Sequence, residues 1–286
     1  MASLWRKRHE VLQLIRFDRP YGTFLVMLPA LWSLVLASRG MPTPHHLIVF
    51  ILGAFLMRSC GCVVNDMADR KWDARVTRTR NRPLASGRLN LVEASMVLGL
   101  FLLFSFLLVL TLNRTTLRMS IAALILALFY PFTKRFFMFP QVVLGITFGF
   151  GVLMAWTAVH RDLSMIPILL FLANVAWVTG YDTLYAMMDY EDDRHIGIQS
   201  TAIWLGAYSK VGIGLCNALM IFLLMGVGTL FPLGFPYFVA LAGAGIAFAF
   251  QFQRLLPGTP SEVLFSMFKA QVWIGGMILV GMILGM

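Results

Sequence analysis

Two short stripes of acidic side chains interrupt an otherwise apolar chain. In NDMADRKWD, Asn65, Asp69 and Asp73 recur at i, i+4 and i+8, with Asp66 beside them. On a helix that spacing holds all three within about 80° of one face. In YDTLYAMMDYEDDRHIG, Asp189 and Asp193 again stand four apart, flanked by Glu191 and Asp192. Like charges one helical turn apart repel, so two facing stripes call for cations between them. Mg²⁺ is a hard ion held by one or two carboxylates plus the phosphates of a substrate. Bases are close at hand: Arg70, Lys71, Arg75, Arg78, Arg80, Arg82 and Arg88 follow the first stripe, and Lys134 and Arg135 end a later apolar run. Carboxylates, Mg²⁺ and Arg/Lys together describe a site for a diphosphate. Asp66, Glu191 and Asp192 serve equally well as solvated charges balancing the neighbouring bases.

The rest of the chain must hold these stripes at a membrane. Of 286 residues 59% are hydrophobic and 13% charged, against roughly 25% charged in globular domains. Several windows of about eighteen or more apolar residues are long enough to cross a hydrocarbon core of about 30 Å. Nine spans are expected, at 22–38, 46–65, 92–112, 116–133, 140–159, 164–187, 209–230, 235–253 and 266–285. The fold class is an all-α polytopic membrane protein made of one domain over 1–286.

A net charge of +10 does not indicate nucleic acid here. The bases collect in short loops that alternate between spans, which predicts an N-in, C-out topology and puts both acidic segments, 66–90 and 188–208, on the cytoplasmic face. Residues 1–19 are basic and amphipathic without a cleavable apolar core, and read as an interfacial helix. Cys60, Cys62 and Cys216 form no paired framework and read as packing residues. Arg58 is different: it lies inside the second span, where a charge faces a cavity or a partner.

The segment GCVVNDMADRKWDARVTRTRNRPLASG resembles the first aspartate-rich motif of the UbiA superfamily of intramembrane prenyltransferases, and YDTLYAMMDYEDDRHIGIQSTA resembles its second. RFDRPYGTFLVMLPALWSL, LTLNRTTLRMSIAALILALFYPFTKRFFMFPQVVLG and FLANVAWVTGYDTLYAM extend the resemblance to the 4-hydroxybenzoate polyprenyltransferase branch. It implies nine helices around a central cavity under a cytoplasmic cap. It also implies Mg²⁺-dependent transfer of a prenyl chain from a polyprenyl diphosphate to 4-hydroxybenzoate, in ubiquinone or related quinone synthesis. Two departures stand out: Gln199 occupies a place where a Lys is expected, and the last span lacks an Asn-rich stretch.

On this reading Asn65, Asp66, Asp69, Asp73, Asp189 and Asp193 are the metal ligands, and Asp69, Asp73, Asp189 and Asp193 carry catalysis. Arg70, Arg78, Arg82 and Lys134 meet the diphosphate, and Arg58 and Arg135 are candidates for the acceptor carboxylate. Asp189 or a water takes the ring proton. Membrane lipid surrounds the chain, which sits in a bacterial inner membrane, and no obligate protein partner is inferred. Another prenyltransferase of the superfamily, with a menaquinone, haem or chlorophyll type acceptor, is the nearest alternative. A cation-coupled transporter is the competitor from another class. It is set aside because the acids gather at one interface and no span centre holds Asp or Glu.

Overall fold

A computed structural model describes residues 6–76 and 78–286. The first five residues of the expected N-terminal helix, and Thr77 of the first motif loop, lie outside the described residues. Every regular element among the described residues is helical. A short α1 (Arg8–Leu14) is followed by α2 (Tyr21–Ala37), α3 (Pro44–Asp73), α4 (Leu91–Val109), α5 (Arg114–Thr133), α6 (Pro140–His160) and α7 (Met165–Ala186). Beyond a 3₁₀ turn, two short helices, α8 (Tyr190–Ile196) and α9 (Thr201–Leu205), lead to α10 (Ser209–Leu230), α11 (Phe235–Arg254) and α12 (Ser261–Leu284).

Eight of the long helices are long and apolar enough to cross a membrane, and the 17-residue α2 is shorter. The helix ends follow from local chemistry. Thr43 caps α3 by accepting a hydrogen bond from the His46 N–H, with Pro44 at the first helical position. Asn90 and Glu93 form a reciprocal capping box at the start of α4. Asn113 caps α5, and its amide also donates to the Thr157 and Ala158 carbonyls at 2.6 and 3.2 Å, clamping the start of α5 to the end of α6.

One boundary differs from expectation in a way that matters. The second span was expected to end at residue 65, with a loop from 66; instead α3 runs unbroken to Asp73. The first acidic stripe is therefore helical, so its four-residue spacing is a real face. The second stripe is less regular: Met187–Asp189 tightens to a 3₁₀ turn before α8.

The core is concentrated on one side of the bundle. Trp32 of α2 stacks on Trp177 of α7 with ring centroids 5.1 Å apart. Both indole N–H groups donate to α12, Trp32 to the Gly275 carbonyl at 3.0 Å and Trp177 to Gln271 Oε1 at 2.7 Å. Buried indoles need such partners, and here those partners tie three helices together. Ser33 adds a hydrogen bond to the Val152 carbonyl of α6 at 2.7 Å. The opposite side is looser, for α4 and α5 are consecutive yet barely touch. Large apolar side chains such as Phe222, Phe235 and Trp273 point outward, as a lipid environment allows.

Glycine permits one close approach that a side chain would block. A Cβ on Gly145 would stand 2.9 Å from the Val175 carbonyl oxygen and 3.0 Å from its Cα, and helix backbone yields reluctantly. Gly145→Val is expected to destabilise the protein by about 1–3 kcal/mol through overpacking, lowering the thermal unfolding midpoint in detergent. Gly276→Ala, where a Cβ meets nothing within 4 Å, is expected to leave that midpoint in place.

Candidate active site

A cavity of 1220 Å³ opens at the end of the bundle where α3 and α7 finish, and runs between α2, α3, α4, α5 and α6. Its deeper wall is apolar, including Val49, Phe50, Leu102, Phe106 and Leu124, whereas its mouth is lined by both acidic stripes. From Val49 to Asp66 along α3 is seventeen residues, so the cavity reaches about 25 Å into the bundle.

Asn65, Asp66, Asp69 and Asp73 reach the mouth from α3, and Asp189 and Asp193 from across it. The chain thus brings the two stripes together. Most of these acids are already paired with bases. Asp66, 1% exposed, accepts two hydrogen bonds from Arg16 at 2.7 and 2.8 Å and a third from Arg82 at 3.2 Å. Arg82 also donates to Asp73 at 2.8 Å. Burial opposes the charge on Arg82, but the carboxylates of Asp66 and Asp73 outweigh it and hold its pKa above the ordinary arginine value. Lys134, at the end of α5, pairs with Asp69, and Arg78 pairs with Asp189 while lying 4.7 Å above the Tyr185 ring. Among the described residues, no three acidic, His or Cys side chains stand together as a metal-ligating group. Here the bases share the carboxylates out one by one.

The site still has room for a cation. Oδ1 of Asp69 is buried and accepts no hydrogen bond, which is costly for a carboxylate oxygen. The other donors lining this mouth, Asn65, Asp73, Asp189 and Asp193, offer oxygen from carboxylates and an amide, the set a hard divalent ion takes.

Two expected contacts do not reach the cavity. Arg70 immediately follows Asp69 on a helix, so it points about 100° away and is exposed. Arg135 does not line the cavity: it donates to the Ala68 carbonyl at 2.8 Å with its guanidinium over Trp72 and Phe132, and only its edge comes within 4.0 Å of Asp69 Oδ1. Arg58, Arg78, Arg82 and Lys134 do line the cavity. Among the described residues Arg58 forms no ion pair, and its guanidinium lies over Gly22, where a Cβ would meet Nε at 2.5 Å.

Two participants escaped the reading of the sequence. The first is Arg16, whose N-terminal position suggested only a topology signal. It adopts φ of 57°, a region a side chain rarely visits, and it docks the N-terminal segment across the cavity mouth onto Asp66. The second is Asp182, a carboxylate within α7 but away from the centre of that span. It is the sole charged residue of α7, one turn before the helix end, and lines the cavity. The YDTLYAM segment displayed it, but attention went to the four-residue stripes beyond. Gln199, where a Lys was expected, also lines the cavity, and its backbone N–H donates to the Lys134 carbonyl at 2.8 Å.

Comparison with known proteins adds to this geometry. A sequence model described as the UbiA prenyltransferase family matches residues 26–274. The 4-hydroxybenzoate octaprenyltransferase of Vibrio vulnificus (strain CMCP6) is 43% identical over 270 residues, covering 94% of this chain and 95% of that protein. The protein of the same name from Cronobacter sakazakii (strain ATCC BAA-894) is 46% identical over 272 residues, covering 95% and 93%. Among solved structures, a UbiA homolog from Aeropyrum pernix K1 superposes with a TM-score of 0.79 at 26% identity, covering 90% of this chain and 96% of that one. A UbiA homolog from Archaeoglobus fulgidus bound to GPP and Mg²⁺ shares the fold, with a TM-score of 0.67 at 18% identity, covering 95% and 99%.

The Arg16–Asp66 pair is open to a direct test. Thermal unfolding in detergent of Arg16→Met, Asp66→Asn and the double variant is expected to give a coupling energy of about 1–3 kcal/mol. Simple additivity would mean that the pair does not hold the N-terminal segment in place.

Proposed function

The chain belongs to the UbiA prenyltransferase family, and from that premise we propose how its own residues carry out the reaction. It is an aromatic prenyltransferase that moves a polyprenyl group from polyprenyl diphosphate to the ring carbon ortho to the hydroxyl of 4-hydroxybenzoate, in quinone synthesis. It does so as a multi-pass membrane protein. The observation that carries the site assignment is one cavity whose mouth holds both acidic stripes and a base for most of the acids, and whose depth is apolar.

The ion pairs at the mouth are the resting arrangement of an exchange. Lys134 and Arg78 neutralise Asp69 and Asp189 until a diphosphate arrives. They then swing a few ångströms to the diphosphate oxygens and free the carboxylates for metal. Asn65, Asp69, Asp73, Asp189 and Asp193 are the ligands this assigns to Mg²⁺. Bound there, the metal supplies positive charge to the leaving diphosphate as the allylic C–O bond breaks. Asp66 takes a different part, since Arg16 and Arg82 hold it as a buried anchor of the mouth. Arg82 keeps a full positive charge beside the site.

Below the mouth, Tyr130, Tyr181, Tyr185 and Phe268 line the region where the allylic carbon ionises. Their ring faces attract a cation, and the packed walls keep water from it. Arg58 is the base available for the acceptor carboxylate, because Arg135 does not line the cavity and Lys134 is engaged at the mouth. The apolar depth between α3, α4 and α5 takes the prenyl tail, with the loosely joined α4 and α5 giving it a way to lipid. The bases gathered at this mouth support a cytoplasmic-facing site in a bacterial inner membrane.

In membranes carrying the chain, transfer to labelled 4-hydroxybenzoate is expected to need Mg²⁺ and to stop on chelation. Asp69→Asn and Asp189→Asn are each expected to lower the rate at least about 100-fold, as loss of charge stabilisation at the leaving group does. Arg58→Ala is expected to raise the KM for 4-hydroxybenzoate about 10-fold or more, in line with a lost charge-assisted hydrogen bond, with little change in that for the prenyl diphosphate. Equal effects on both substrates would remove Arg58 from the acceptor site.

A further inference from the structure

The reaction ends with loss of a ring proton, and the acid at the mouth first considered for it, Asp189, is paired with Arg78 at rest and assigned to the metal in the loaded site. A carboxylate lies deeper. Asp182 is set in an apolar helix where ionisable groups are costly and mark function, and it shares the cavity wall with Arg58, Tyr130, Lys134, Gln141 and Tyr181. Among the described residues it forms no ion pair within 4 Å. The charges of Arg58 and Lys134 act on it from across the cavity, and its hydrogen-bond partner is the neutral amide of Gln141.

That amide is oriented by the fold. The Oε1 of Gln141 accepts from the backbone N–H of Thr201 at 2.9 Å and from its hydroxyl at 2.8 Å. Gln141 and Thr201 are both buried. With the oxygen of Gln141 taken, its NH₂ is the end left for Asp182. Thr201 sits at the start of α9, in the segment that closes the second motif, so the motif loop fixes the carboxylate through one intermediate side chain. Beside it, the hydroxyl of Tyr181 is buried with no hydrogen-bond partner. A buried hydroxyl in a cavity wall is unsatisfied until a polar atom of a ligand reaches it.

We propose that Asp182 is the base that accepts the ring proton, and that Gln141 and Thr201 are the residues that position it. This rests on the transfer to a phenol described above. As the allylic C–O bond breaks, diphosphate leaves with the bonding electron pair, and the ring carbon ortho to the hydroxyl forms the new C–C bond. The hydrogen on that carbon passes as a proton to a carboxylate oxygen of Asp182, and the C–H electron pair restores the aromatic ring. Asp182 returns the proton to water at the mouth once the product has left. A carboxylate suits this role in a pocket where a second lysine would repel Arg58, and its one amide donor leaves carboxylate lone pairs free for the proton.

The test is kinetic, on the full chain in lipid nanodiscs with geranyl diphosphate, Mg²⁺ and 4-hydroxybenzoate carrying hydrogen or deuterium at both positions ortho to the hydroxyl. Wild type is expected to turn over both acceptors at the same rate, because proton loss follows the slow step. Asp182→Asn is expected to lower kcat about 10²–10⁴-fold, the range of a lost general base. It should also show a primary isotope effect while binding geranyl diphosphate as wild type does. Gln141→Leu, which keeps the carboxylate but frees it, is expected to show a smaller loss with an isotope effect of the same sense. Wild-type rates in Asp182→Asn would overturn the proposal. So would a loss without an isotope effect accompanied by weaker geranyl diphosphate binding, which would place Asp182 in the donor site. No product from wild type would instead overturn the reading of the acceptor on which the proposal rests.

Discussion

The cost of holding several carboxylates at the end of an apolar bundle governs much of this structure. An unpaired charge taken out of water costs several kcal/mol, and this mouth gathers Asp66, Asp69, Asp73, Asp189 and Asp193, five acids, in one cavity. The chain meets that cost with four bases drawn from three separate places: Arg16 before α2, Arg78 and Arg82 in the loop after α3, and Lys134 at the end of α5. Each pair ties a distant segment to the mouth, so the arrangement that neutralises the acids also assembles the cap. Asp66 illustrates the point, since its two arginines join the N-terminal segment and the motif loop to α3.

Not all of these pairs have the same standing. Asp66 is almost fully buried and satisfied by three hydrogen bonds, which makes its pairing a fixed strut. Asp69 is also buried, yet one of its oxygens is left without a donor. Such a half-satisfied group is stable only as long as its base stays, and it gains most from an arriving cation. Neighbouring aspartates of one motif, all on one side of α3, thus divide between architecture and chemistry because of which bases reach each of them.

Much of this was legible in the sequence, and the exceptions have physical causes. The nine apolar segments announced the helices, because a span must be long and apolar whatever its neighbours are. The four-residue spacing announced the first stripe, since α3 is regular through Asp73. What could not be read was direction around a helix relative to a partner. Arg70 and Arg135 have the right charge and the right neighbours, but one helical step turns Arg70 outward and a turn after α5 lays Arg135 on Trp72. Asp182 was hidden for another reason: it belongs to no repeat, and only the fold sets it beside Gln141, 41 positions earlier in the chain.

The two sides of the bundle complete the account. On one side Trp32, Trp177 and Gln271 lock α2, α7 and α12 together through stacking and buried hydrogen bonds. On the other, α4 and α5 leave an apolar gap continuous with the cavity. A polyprenyl chain gains little from the hydrophobic effect on leaving lipid, since tails and apolar walls are alike to it. A tight tunnel would therefore cost packing strain without a compensating gain, whereas a slot open to lipid lets the tail stay partly solvated by the bilayer. Precision is needed only where bonds change, and there α3, α5 and α7 bring the acids, the bases and Asp182 onto a rigid frame. The stiff side holds the polar geometry, and the loose side admits a tail of variable length without disturbing it.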